Sequence, residues 1–72
     1  MKIEEVVITT EYIRLDAFLK FCGAAETGGR AKEMILAGTV SADGEICFAR
    51  GKKLRQGACV RVEEAEYKVV AP

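Results

Sequence analysis

Apolar side chains recur at helical spacing shortly after the start of the chain. The residues at positions i, i+3, i+4 and i+7 of this stripe are Leu15, Phe18, Leu19 and Cys22. Such spacing places them on one face of an α-helix. Asp16 in the first turn and Lys20 in the last match the helix dipole, and Gly23 suits the residue after a helix end. The pattern predicts a helix at about 14–22.

A second apolar stripe follows after a short gap. Its members at i, i+3 and i+4 are Ala31, Met34 and Ile35. Thr27 precedes it and is a good N-cap, because its hydroxyl can accept a hydrogen bond from an amide of the first turn. Gly38 suits the end of this helix. We therefore predict a helix at about 27–37, packed on the first across a tight turn.

Short runs of β-branched residues indicate that the rest is β-structure. Residues 3–9 predict a strand or an extended arm. Residues 58–62 and 67–70 predict two further strands, joined by an acidic turn at 63–66. The expected fold class is α+β, with two packed N-terminal helices followed by a small, mostly antiparallel β-sheet.

A hairpin is indicated at residues 39–48. Asp43-Gly44 separates two β-prone runs, which is the strongest short signal for a type I′ turn. A strict two-residue loop would put Val40 and Ala42 on the face opposite Ile46 and Phe48. A bulge or a longer loop would place all four side chains on one face.

Composition limits the function further. The chain has 72 residues, half of them apolar and 31% charged, which fits a single folded domain over residues 1–72. It has no histidine, so a histidine general base and a His-ligated zinc site are excluded. Its apolar runs are far shorter than a membrane span, and its acidic N-terminal segment does not resemble a signal peptide.

The three cysteines lack CxxC spacing, which argues against a disulfide framework or a metal site and suits a reducing cytoplasm. Cys22 on the helical stripe is expected to be a buried thiol, and Cys47 and Cys59 to be core or half-buried. No nucleophile–base pair is visible, so we expect neither catalysis nor a cofactor.

The formal net charge of zero hides an uneven distribution. Residues 30–55 carry six basic and three acidic side chains, while the flanking segments are acidic on balance. The basic residues of this stretch are Arg30, Lys32, Arg50, Lys52, Lys53 and Arg55. Charge runs of this kind are often only solvated surface.

Two features of the basic stretch favour an anionic partner. Gly28 and Gly29 in the first turn leave the helix amides uncovered beside Arg30 and Lys32, a typical phosphate site. A flexible cap, or close packing of the helix end, would explain the same glycines. The loop 50–55 lacks interleaved aromatic residues, so base stacking of the kind seen in single-strand binders has little support.

Three segments of the chain, residues 14–20, 27–35 and 38–44, resemble the S-four RNA-binding domain, also called the alpha-L RNA-binding motif. The resemblance covers residues 12 to about 62 and is strongest to small stand-alone bacterial members, the YbcJ-like and YaaA-like proteins. Asp43 stands where the family usually has asparagine, and Ala42 where it has valine. Residues 51–60 resemble the family's closing strand, in which Gln56 and Ala58 stand where the family usually has proline and aspartate.

The resemblance implies a non-catalytic module that docks structured RNA, either ribosomal or transfer RNA, in translation or ribosome assembly. We expect the protein to be monomeric and cytoplasmic, with the ribosome or ribosome-associated proteins as further partners. It also implies that RNA is contacted by the helix starts and by the loop after the hairpin. The residues implied are Arg14, Lys20, Thr27, Gly28, Gly29, Arg30, Lys32, Lys52, Lys53 and Arg55.

A second class of protein fits part of the sequence, and a third class does not fit its last residues. A protein-interaction module could use a β-edge and the acidic residues Glu63, Glu64 and Glu66. A ubiquitin-like sulfur carrier would end in Gly-Gly, whereas this sequence ends in Val-Val-Ala-Pro.

Overall fold

The computed structural model describes residues 2–72. These residues form two helices and seven strands. In chain order they are β1 (Lys2–Val7), β2 (Ile13–Arg14), α1 (Leu15–Phe21), α2 (Gly28–Leu36), β3 (Val40–Ala42), β4 (Glu45–Ile46), β5 (Lys53–Leu54), β6 (Cys59–Val62) and β7 (Ala65–Val70). The α+β class is confirmed.

Five of the strands form one mixed sheet in the order β1-β7-β6-β3-β4. β1 is parallel to β7, and the other neighbours are antiparallel. β1 therefore precedes the helices in sequence but lies at the far edge of the sheet that follows them. β2 and β5 form a separate antiparallel pair.

Each helix is one residue shorter at both ends than predicted. Arg14 and Cys22 are the caps of α1, and Thr27 and Ala37 are the caps of α2. Arg14 belongs to β2, where pairing with β5 holds its backbone extended. Gly23 has a φ of 85°, as expected of a residue after a helix end.

The hydrophobic core lies between the two helices and one face of the sheet. Tyr67 of β7 meets Phe18 of α1 edge-to-face, with ring centroids 6.3 Å apart. Both helical stripes contribute buried residues, and the strands add more: Leu15, Phe18, Leu19, Ala31, Met34, Ile35, Val40, Leu54 and Val60. Cys22, expected to be buried, is only half-buried, because it follows the last turn of α1 and packs at the rim of the core.

The hairpin between β3 and β4 has a two-residue loop and no bulge. Asp43 and Gly44 both have positive φ, 51° and 89°, as a type I′ turn requires. Ser41 pairs with Ile46, so the side chain of Ile46 lies on the face of the sheet away from the core. Ile46 and Phe48 are consequently exposed, whereas Val40 and Ala42 are buried.

The predicted acidic turn at 63–66 is too long. Only Glu63 and Glu64 form the turn, and Glu63 has a φ of 55°. Ala65 pairs with both Val62 and Lys2, so it already belongs to β7. Pairing with strands on both sides outweighs the low strand propensity of alanine and glutamate here.

Candidate nucleic-acid interface

The N-terminus of α2 is open to solvent. The Oγ1 of Thr27 accepts a hydrogen bond from the Arg30 N–H at 3.0 Å, and the Thr27 carbonyl accepts from the Ala31 N–H. The N–H groups of Gly28 and Gly29 have no acceptor within residues 2–72. Apart from its chain neighbours and the backbone of α2, no atom lies within 4 Å of the point where a Gly28 side chain would begin. Two backbone donors are thus available to an external acceptor.

The N-terminus of α1, in contrast, is closed by the protein itself. The loop after the hairpin supplies two carbonyl acceptors: Lys52 O for the Leu15 N–H at 2.8 Å, and Arg50 O for the Asp16 N–H at 3.0 Å. The Asp16 carboxylate accepts from the Ala17 N–H. What the start of α1 offers a ligand is therefore the Arg14 side chain and not its amides.

A groove between the two helices joins three of the predicted residues. This interhelix groove is lined by Arg14, Asp16, Ala17, Lys20 and Gly28. The Arg14 guanidinium lies 3.2 Å from the Asp16 carboxylate, and the Arg14 side chain remains 53% exposed. Arg14 and Lys20 thus flank the open start of α2.

The β2–β5 pair places Arg14 beside the second group of cations. Arg14 is directly opposite Lys53, and both side chains point away from the buried Leu54. Side chains opposite each other on antiparallel strands share a face. Gly51 lies against the Arg14 guanidinium, since a side chain added there would begin 3.7 Å from Nη2.

Tyr12 organises this second group and was not predicted as a site residue. Its ring lies beneath the Lys53 ammonium, 4.8 Å from the ring centroid, and the Arg55 guanidinium, 5.7 Å away. Arg55 also pairs with Glu11 at 3.3 Å. Cation–π contacts of this length are attractive and limit the positions the two cations adopt. Tyr12 is far from both cations in sequence, so no local pattern could have revealed it.

A second depression connects the loop cations. This loop depression is lined by Asp43, Lys52, Lys53, Arg55, Gln56, Gly57 and Ala58. Lys53 therefore contributes to it and faces Arg14 across the β2–β5 pair. We use "basic surface" for the open start of α2 (residues 27–29) together with Arg14, Lys20, Lys32, Lys52, Lys53 and Arg55.

The family model of the S4 domain matches residues 6–70 of the chain. This is the S-four RNA-binding domain that the sequence resembles. The chain belongs to the S4 domain family. S4 domains are RNA-binding modules and are generally non-catalytic. No curated protein matches this S4 domain at a significant level.

Two of the residues predicted to bind RNA, Arg30 and Lys32, point in different directions from α2 in this S4 domain. Arg30 and Lys32 are two positions apart on α2, so helical rotation directs them to opposite sides of its exposed face. Arg30 pairs with Glu33 at 3.5 Å. Lys32 is four residues from Gly28 and shares its face. Lys32 is therefore the better placed of the two to join the interhelix groove.

The basic surface of this S4 domain offers a ligand two kinds of donor, cationic side chains and backbone N–H groups. Within residues 2–72, no group of three or more histidine, cysteine or carboxylate side chains could hold a metal ion. All three cysteines are unbridged and half-buried, and burial raises the pKa of the Cys22 thiol. Neither described helix is long and apolar enough to cross a membrane.

Proposed function

We propose that this S4 domain is a monomeric cytoplasmic module that docks structured RNA, ribosomal or transfer RNA, through the basic surface. The alternative of a protein-interaction module would require a partner for the acidic residues at 63–66. The family supports RNA in general, and the geometry of the basic surface supports the choice of residues.

The observation that carries this proposal is the position of Arg14. It lines the interhelix groove with Lys20 and Gly28, and it faces Lys53 across the β2–β5 pair. Two groups of donors that are far apart in sequence thus form one exposed surface. Such a surface suits several phosphates of a folded backbone better than a single small anion.

Each part of the surface has a distinct role in this mechanism. The Gly28 and Gly29 amides and the α2 dipole receive one phosphate oxygen at a fixed position. The Arg14 guanidinium can bind a phosphate with two parallel hydrogen bonds, whereas the lysines act as adjustable point charges. A-form RNA presents phosphates and 2′-hydroxyls across a shallow minor groove, which matches a shape-reading surface.

The carboxylates beside the arginines do not block this role. The pairs formed by Glu11 and Glu33 are largely exposed to solvent, whereas in the Arg14–Asp16 pair the arginine side chain is 53% exposed and the Asp16 side chain 22%. Exposed pairs contribute little net free energy, about 0–1 kcal/mol. Exchanging the Glu11 or Glu33 carboxylate for a phosphate therefore costs little, and the Arg14 guanidinium keeps further N–H donors for a phosphate beside its bond to Asp16.

The test is the salt dependence of binding, measured by fluorescence anisotropy. A structured ribosomal RNA hairpin, a single-stranded RNA and a DNA duplex are titrated between about 50 and 200 mM salt. About four phosphate contacts predict a slope near −3 to −4 in the plot of log affinity against log salt. We expect the structured RNA to bind best.

Charge removal locates the contacts. Lys20→Gln/Lys32→Gln removes two cations that form no ion pair within the described range. The slope should become shallower by about 2, since each lost duplex contact removes about 0.9. The matched control, Arg61→Gln/Lys68→Gln, removes two exposed cations from β6 and β7 and should leave the slope unchanged. Equal effects of the two variants, or no binding at low salt, would contradict the proposal.

A further inference from the structure

An exposed aromatic ring lies beside the basic surface. Phe48 is 60% exposed and lies two residues after the end of β4, the last strand of the hairpin. The two-residue loop causes this exposure, because it turns β4 so that its apolar residues leave the core. The exposure is therefore fixed by the register of the hairpin.

The backbone on both sides of Phe48 is held in place. The Cys47 N–H donates to the Val40 carbonyl at 3.0 Å, and the Lys52 N–H donates to the Ala49 carbonyl at 3.1 Å. The edge of the Phe48 ring lies over Gly38, where an added side chain would begin 3.5 Å from Cε1. The ring thus has a defined position against the protein on one side and is open to solvent elsewhere.

Lys52 connects this ring to the basic surface. Phe48, Lys52 and Glu45 line one depression, the hairpin depression, together with neighbouring small and apolar residues. Lys52 also lines the loop depression with Lys53 and Arg55. A ligand that follows the cations from the interhelix groove thus reaches Phe48 next.

We infer that Phe48 is a stacking platform for one unpaired base of the bound RNA, with Lys52 contacting the phosphate beside that base. This inference rests on the proposed function and adds that the RNA carries a bulged or looped nucleotide next to its paired segment. An aromatic ring stacks on any base and discriminates little between sequences. It would let a shape-reading surface recognise where a helix is interrupted.

Charge favours RNA over a protein as the occupant. Most residues that line the hairpin depression are apolar, but Lys52 at its border also lines the loop depression with Lys53 and Arg55, so the aromatic ring lies beside a continuous group of cations. A protein partner would bury Ile46 together with Phe48, because both are 60% exposed and both lie within 4 Å of the same point at Gly38. A base would need the aromatic face of Phe48 alone. This difference makes Ile46 the matched control.

The experiment compares three RNA hairpins that differ at one position. The first carries a single bulged adenosine, the second an abasic nucleotide in the same bulge, and the third no bulge. The wild-type protein should bind the adenosine hairpin about tenfold more tightly than the abasic one, since only the base differs. Anisotropy titrations at fixed salt measure the three affinities.

Substitutions then identify the ring as the platform. Phe48→Leu should abolish the preference for the adenosine hairpin over the abasic hairpin, while Phe48→Tyr should keep it. Ile46→Ala should keep it as well. Both positions of change are on the surface, and circular dichroism verifies that each of the three variants is folded.

The outcomes separate the inference from the proposed function. If the wild type binds all three hairpins equally, or if Phe48→Leu retains the preference, the stacking site is wrong although the RNA surface stands. If Ile46→Ala and Phe48→Leu lose affinity equally for every hairpin, the patch is a general apolar contact and the inference is overturned. If no hairpin binds, the proposed function itself fails.

Discussion

Cys22 shows how burial sets the chemistry of a single residue. Its side chain packs against the core beyond the last turn of α1, and its Sγ donates to the Leu19 carbonyl at 3.6 Å. Burial raises the pKa of the Cys22 thiol, and the negative charge of Glu4 acts in the same direction. The fold therefore stabilises the protonated thiol, and its nucleophilic form is scarce at neutral pH.

A dependence of stability on pH follows. Since the folded pKa is above the unfolded value, near 9, the folded state retains the proton longer than the unfolded state. The contribution of Cys22 to the free energy of unfolding is fully present below pH 9 and is lost as the pH rises through the folded pKa. Urea unfolding of wild type and Cys22→Ala from pH 7 upwards, with reductant present, checks this. Their difference in stability should shrink at high pH, and a constant difference would contradict it.

At the scale of elements, the start of α2 combines one strong cap with two poor helix formers. Glycine costs about 1 kcal/mol relative to alanine inside a helix, but the first turn is less demanding. Because Gly28 and Gly29 carry no side chain, their amides stay accessible, while Thr27 satisfies the Arg30 amide. The cap thus offsets part of what the glycines cost.

Replacing Thr27 tests how much the cap contributes to the stability of the protein. Thr27→Ala removes the acceptor of the Arg30 N–H and should lower the free energy of unfolding by about 1 kcal/mol. Thr27→Ser keeps a hydroxyl and should stay close to wild type. Chemical denaturation measures both variants, and equal stability of Thr27→Ala and wild type would show that the cap contributes nothing.

The helices could be predicted from sequence because their signals are local. Stripes of apolar residues, a capping threonine and glycines after each end are all visible within one or two turns. The hairpin was harder to predict, because the mismatch at Ile46 and Phe48 left a two-residue loop, a bulge and a longer loop all open. The structure keeps the tight turn and leaves both side chains exposed, which moved an aromatic residue onto the surface where none was predicted.

The rest of the candidate site depends on contacts between distant segments. The pairing of Arg14 with Lys53, the ring of Tyr12 beneath its cations and the parallel β1–β7 pair all join residues about 40 or more positions apart. Two-residue strands such as β2 and β5 carry no periodic signal. The roles of the basic residues in RNA binding stay predictions.

For the whole molecule, the order of strands divides the sheet into a stable centre and weaker edges. β7, β6 and β3 have partners on both sides, whereas β1 and β4 are edges among the described strands. The proposed stacking residue lies next to the β4 edge, and β1 lies at the opposite one. Local opening should therefore begin at the hairpin side and not at the centre.

Hydrogen exchange tests this division with two matched amides. The Val69 N–H bonds the Ala58 carbonyl at 2.9 Å, and the Cys47 N–H bonds the Val40 carbonyl at 3.0 Å. The bonds are alike, but Val69 is buried on a central strand and Cys47 is half-buried at the edge. NMR should find the Val69 amide more protected by at least about tenfold. Equal protection would mean that the sheet opens as one unit.

In the loop that closes the start of α1, the backbone and the side chains have different roles. Arg50 and Lys52 hold the helix with their carbonyl groups, which every amino acid possesses, and direct their side chains to solvent. Evolution can therefore exchange the side chains at these two positions without loosening the helix. In this arrangement the backbone fixes the start of α1, and the two side chains alone set the charge that the loop presents to a ligand.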